Sequence, residues 1–131
     1  MIVEDPVFLT LGEVIDIHRD QIERYGGDPG LRDLYLLQSA MAMPAAGFGG
    51  RYIHTDLFEM AAAYLFHITQ NHPFIDGTKR TGAVASLVFL SLNDVEIEAD
   101  EKEFEKFVLG VAEGKIEKAA VAEFFRKNSQ Y

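Results

Sequence analysis

The chain has 131 residues, 48% of them hydrophobic, which suits one domain with a buried core, and residues 1–131 are expected to form a single domain. Its 21 acidic and 12 basic side chains leave a formal charge of -9, which argues against a general phosphate-backbone footprint and so against direct nucleic-acid binding. Lack of cysteine excludes a disulfide scaffold, thiol catalysis and thiolate zinc sites; with no basic-then-apolar leader pattern at Met1–Pro6 and no apolar run near the ~20 residues of a membrane span, a cytoplasmic protein is expected.

Thr10 followed by Glu13 forms a capping-box pattern, and Leu11, Val14, Ile15, His18 and Ile22 share one face of a helix that Gly26-Gly27 stops. His18 reads as a core or boundary histidine without a function, because no second histidine lies one turn away. A second helix is predicted from near Arg32 to before Pro44, burying Leu34, Leu37, Ala40 and Met41. Residues 45–54 set three glycines among aromatic side chains and read as a mobile loop or short hairpin, the candidate flap. The plainer alternative is a simple connector with Phe48 tucked into the core.

Thr55 is expected to cap a third helix running to about Asn71, apolar around nearly its whole circumference and therefore buried. Gly82–Leu92 has the same character, so the segment between them joins the two most buried helices, where a turn opens into a concavity. Further on, Val95–Glu98 reads as a scrap of strand. Asp100 with Glu103 caps a helix burying Phe104, Phe107, Val108 and Val111. A last helix is expected to turn Ile116, Ala119, Ala120 and Phe124 inward, with the tail fraying from Asn128. The sum is an all-α bundle of about six helices with one flap loop or hairpin.

The joining segment, His72-Pro73-Phe74-Ile75-Asp76-Gly77-Thr78-Lys79-Arg80, carries the functional signal. A helix N-terminus bears roughly half a positive charge, so Lys79 and Arg80 in a first turn repel it unless an anion sits there as well. A bound phosphate is the economical explanation. Gly77 lets backbone approach phosphate oxygens, and the N–H groups of Thr78, Lys79 and Arg80 complete the cradle. Asp76 supplies a carboxylate that serves as a metal ligand or as the N-cap of the helix, and His72 a base.

Extended through Thr81, the segment closely resembles the signature of the Fic/Doc family in its Doc (death-on-curing toxin) form, usually His-Pro-Phe-x-Asp-Gly/Ala-Asn-Lys-Arg-Thr. Gly30-Leu31-Arg32-Asp33-Leu34, Leu37-Gln38-Ser39-Ala40 with Pro44, and Gly110-Val111-Ala112-Glu113-Gly114 resemble flanking blocks of that form, so the likeness spans essentially the whole chain. It implies a Fic/Doc-like fold and a toxin that transfers the γ-phosphate of ATP, with Mg²⁺, to a Ser or Thr of a translation factor, elongation factor Tu being the implied target. His72 would be the general base and Asp76 the Mg²⁺ ligand. Lys79 and Arg80 would neutralise charge on the transferred group, and Gly77 and Thr78 would help bind phosphate. Phe48, Arg51 and Tyr52 are the candidate contacts for the target peptide.

Two departures bear on mechanism. Thr78 stands where the family usually has Asn, replacing an amide by a hydroxyl with fewer donors. Ala83 stands where adenylylating Fic enzymes carry a second arginine, and Lys79 replaces their second glycine, so kinase chemistry is favoured over the alternative of adenylyl transfer. A third reading is a binding protein whose site Thr78 has weakened. The inhibitory pattern Ser/Thr-x-x-x-Glu-Gly/Asn has Leu109 in place of its hydroxyl ahead of Glu113-Gly114, so restraint is expected from another chain. That chain would be an antitoxin whose disordered C-terminal segment folds into a groove.

Overall fold

The computed structural model describes residues 5–130, so most of the segment read for a leader pattern lies outside the described residues. Six helices follow one another: α1 (Leu11–Tyr25), α2 (Leu34–Ala42), α3 (Leu57–Asn71), α4 (Thr78–Leu92), α5 (Glu101–Ala112) and α6 (Lys118–Lys127). Two short antiparallel pairs accompany them. One joins β1 (Gly47–Phe48) to β2 (Arg51–Tyr52), the other β3 (Glu96–Ile97) to β4 (Ser129–Gln130). The fold is all-α, and among the described residues no helix is long and apolar enough to cross a membrane.

Local chemistry sets most of these ends. The Thr10 hydroxyl accepts from the Glu13 N–H while the Glu13 carboxylate accepts from the Thr10 N–H, closing the capping box of α1. The second helix starts two residues later than predicted, because the Asp33 carboxylate caps it by accepting from the Leu36 N–H; Leu34 then falls in an exposed first turn and is not buried. Asp56, not Thr55, caps α3, and Thr55 instead hydrogen-bonds the Glu59 carboxylate.

α3 is the central rod, packed against α2, α4, α5 and α6. Met60, Ala61, Leu65 and Ile68 have no solvent exposure, and each large apolar side chain so buried contributes about 1.5–3 kcal/mol. Gly82 brings α4 close. A Cβ there would lie 3.2 Å from Thr69 Cγ2 and 3.4 Å from the Leu65 carbonyl, so a larger residue would push the two helices apart and disturb the turn between them.

Two readings of the C-terminal third change. Val121, Ala122 and Phe125 form the buried stripe of α6, with Ile116 and Phe124 partly buried against it, whereas Ala119 and Ala120 face solvent. The tail does not fray at Asn128: Ser129 and Gln130 pair with Ile97 and Glu96, and the Glu98 N–H donates to the Asn128 carbonyl at 2.8 Å.

Candidate active site at the junction of α3 and α4

α3 stops at His72, whose backbone turns left-handed (φ 47°, ψ 58°) while its N–H still reaches the Ile68 carbonyl. Pro73 cannot continue the ladder. Phe74 is buried and stacks on His18 with ring centroids 3.8 Å apart and 7° between the planes. Gly77 opens α4 at φ 79°, a conformation that a side chain would strain, and a Cβ there would also approach Ile22 Cδ1 to 3.2 Å.

The head of α4 has the properties of an anion site. Thr81 is the first residue to donate within the helix, to the Gly77 carbonyl at 2.9 Å. Among the described residues the N–H groups of Thr78, Lys79 and Arg80 find no protein acceptor, no side chain caps the helix and no carboxylate lies in the first turn. Lys79 and Arg80 are exposed and form no ion pair among the described residues; the Arg80 guanidinium lies 4.6 Å from the centroid of the Tyr25 ring. The Thr78 hydroxyl is buried and turns back to the Phe74 carbonyl at 3.3 Å, so this residue offers the site its N–H.

Asp76 is not the N-cap of α4, a position that Gly77 occupies without a side-chain bond. Its carboxylate Oδ2 accepts from the Asp28 N–H at 2.7 Å, and its carbonyl accepts from His18 Nε2–H at 2.8 Å. Gly27 permits this approach: at φ 120° it sits where a Cβ would come within 2.9 Å of the Asp76 Cβ. Among the described residues no three His, Asp or Glu side chains cluster as a metal cage. A carboxylate beside an anion cradle nevertheless fits Mg²⁺, which is commonly held by one or two carboxylates together with substrate phosphates.

His72, Asp76, Gly77, Thr78, Lys79 and Arg80 all line one cavity of about 610 Å³, closed on its far side by Leu109, Ala112 and Glu113 of the α5 end. A family profile described as the Fic/DOC family matches residues 8–90, which include every one of these motif positions. The chain belongs to the Fic/Doc family. It is also 36% identical, over 88% of its length and 90% of the relative's, to "Protein kinase doc" of Escherichia phage P1. A second relative, "Toxin Doc" of Mycolicibacterium smegmatis, is 40% identical over 58% of each chain. These similarities place the chain among the Doc toxins of the family.

Within this Fic/Doc site the structure does not bring Phe48, Arg51 and Tyr52 to the cavity. They form a hairpin whose Phe48 stands 87% exposed, not tucked into the core. Tyr52 lies against Phe8, which stacks on Phe89. Phe89 is eleven residues along α4 from Thr78, roughly 16 Å at 1.5 Å per residue, so the hairpin belongs to the opposite end of the bundle.

What does lie against the motif is the loop between α1 and α2. Leu31 bridges Phe74, the Arg32 and Asp33 N–H groups both donate to the Pro73 carbonyl, and the Ile75 N–H donates to the Gly30 carbonyl. His18, Gly27, Asp28 and Arg32 are therefore parts of the site that periodicity alone passed over. Of these only Arg32 lies in the block Gly30-Leu31-Arg32-Asp33-Leu34, whose likeness to the family is a sequence signal; the bonds of His18 and Asp28 to Asp76 are long-range and leave no local pattern.

Proposed function

We propose that this chain is a Doc-like toxin that transfers the γ-phosphate of ATP to a serine or threonine of a translation factor, elongation factor Tu being the first target to test. One observation supports it above the rest: the uncapped head of α4, with two cations that have no carboxylate partner among the described residues, opens into the same cavity as His72 and Asp76. A triphosphate satisfies the orphaned N–H groups and both cations together.

In this reading His72 removes the proton from the target hydroxyl as its oxygen attacks the γ-phosphorus, and the bond to the ADP oxygen breaks. Lys79 and Arg80, with the N–H groups of Thr78, Lys79 and Arg80, hold the equatorial oxygens, where charge is greatest in the transition state. Asp76 would hold Mg²⁺, which neutralises phosphate charge. The carboxylate is already aimed by the Asp28 N–H, so little ordering is left for the moment of binding.

A second concavity of about 460 Å³ runs on from the first between α4 and α5, lined by Ala83, Phe104, Val108 and Leu109 and rimmed by Lys79, Arg80, Lys102 and Lys106 with one carboxylate, Glu105, among them. It gathers four of the chain's 12 basic residues on a molecule of charge -9. An apolar floor with a basic rim is the seat we assign to the acidic, folding C-terminal segment of an antitoxin, supplied by another chain.

Intact-mass measurement of elongation factor Tu after incubation with the protein, ATP and Mg²⁺ tests the reaction. A phosphoryl adduct that His72→Ala abolishes is expected; a nucleotidyl adduct would move the chain to adenylyl transfer. No adduct from the native protein, but one from Thr78→Asn, would favour the weakened-site reading.

A further inference from the structure

His72 holds a left-handed backbone although it is not glycine, a state that persists only where surroundings impose it. Its own helix does not supply the restraint. α3 has no basic residue in its last turn, so the negative end of its dipole and its final carbonyls go unmet from within. Arg32, forty residues away in the chain, meets both: Nε donates to the His72 carbonyl at 2.6 Å and Nη2 to the Asn71 carbonyl at 2.9 Å.

We propose that Arg32 is a positioning residue for the transfer reaction, its planar fork locking the peptide units on either side of the His72 Cα so that the imidazole is presented to the cavity. This rests on the reading of His72 as the base. Three further contacts fix the fork. The Arg32 N–H is tied to the Pro73 carbonyl at 2.8 Å, the Asp33 N–H joins it at 3.1 Å, and Asn71 Nδ2 donates to the Leu36 carbonyl from the next turn. The Arg32 side chain is exposed and fills no part of the core, so its removal opens no cavity. Lysine cannot replace it, because a single ammonium lacks the planar pair of donors that spans two successive carbonyls.

The test compares Arg32→Ala and Arg32→Lys with the native chain in the elongation factor Tu transfer assay and by backbone NMR of His72. For Arg32→Ala we expect kcat to fall about ten- to a hundredfold with KM for ATP unchanged, the scale of loss set by a misplaced reacting group. Arg32→Lys should recover little, guanidinium ion added at low concentration should partly restore Arg32→Ala, and the His72 carbon shifts should leave their left-handed values. A kcat within twofold of native, or His72 shifts unchanged in the Arg32→Ala protein, would overturn the proposal. Should His72→Ala retain full transfer, the reading of His72 as base falls by itself, while the backbone shifts still decide whether Arg32 holds the turn.

Discussion

Two arginines stand at opposite ends of the bundle and meet opposite fates. Near the start of α3, Arg126 is held by Asp56 at 2.8 Å, by Glu123 at 3.1 Å and by Glu59 at 3.6 Å; hydrogen bonding to Asp56 foremost raises its pKa. At the head of α4, Arg80 and its neighbour Lys79 have no carboxylate partner among the described residues. Both ends concentrate charge at a helix N-terminus, but α3 begins with a capping Asp56 and α4 begins with a bare glycine. A cation surrounded by carboxylates ties helices together; cations beside an uncapped helix start are left for an external anion.

The sharpest way to break this comparison is at His72. His72→Ala should lower transfer by roughly two to four orders of magnitude, the usual contribution of a positioned base, while the folded fraction in a thermal melt stays close to native because the side chain is exposed. A loss of less than about tenfold would mean that the charged end does not do the chemistry assigned to it.

At the other end the glycine hairpin supplies the matching test. Phe48→Ala should raise KM for the protein target a few-fold, roughly the effect of losing one exposed aromatic contact, with kcat and ATP affinity unchanged. A fall in kcat approaching that of the His72 variant would erase the functional difference between the two ends.

How much of this was legible in the sequence follows the range of the interactions. Capping at Thr10 and Asp100 rests on bonds between residues three apart, and the apolar circumference of α3 is written in its own composition, so both are legible although the burial itself comes from packing against α2, α4, α5 and α6. Arg32 reaching Asn71 and His72, His18 reaching Asp76, and β3 pairing with β4 join residues more than thirty positions apart, and no local period records such bonds. The stripe of α6 eludes the period for another reason. Alanines suit a helix on any face, so Ala119 and Ala120 could not set the phase that Val121 and Phe125 set. The hairpin is legible from its composition but its place is not, because the packing of Tyr52 on Phe8 and of Phe8 on Phe89 sets that.

Between the two ends, the face shared by α3 and α6 holds histidines whose titration sharpens the contrast. Burial, and then the nearby Lys118 ammonium, push the His67 pKa down to about 4; burial likewise lowers His54, with Lys118 adding to it. Above pH 6.5 both the folded and unfolded chains keep these imidazoles largely neutral. Between about 6.5 and 4 the unfolded chain takes up protons that the folded one refuses, so stability falls as the pH drops through that window. His67→Gln keeps an acceptor for Lys118, which lies 3.1 Å from Nε2, and should flatten the slope of denaturation midpoint against pH. An unchanged slope would show that His67 does not carry the acid sensitivity.

The smallest effect is expected inside the motif, where its demands on chemistry and on folding separate. Thr81 is fully buried in the first turn of α4, and its hydroxyl has no hydrogen-bond partner among the described residues. A buried hydroxyl left unpaired loses its hydration without compensation, whereas an isosteric apolar group does not. Thr81→Val should therefore leave stability unchanged or raise it by up to about 1 kcal/mol, read from the denaturant midpoint at constant m. Unlike Arg80, whose charge is exposed to the cavity, Thr81 presents nothing to a nucleotide, so ATP affinity should be unaffected. Destabilisation by more than about 1 kcal/mol would show that the hydroxyl is satisfied in solution, through water reaching the head of α4.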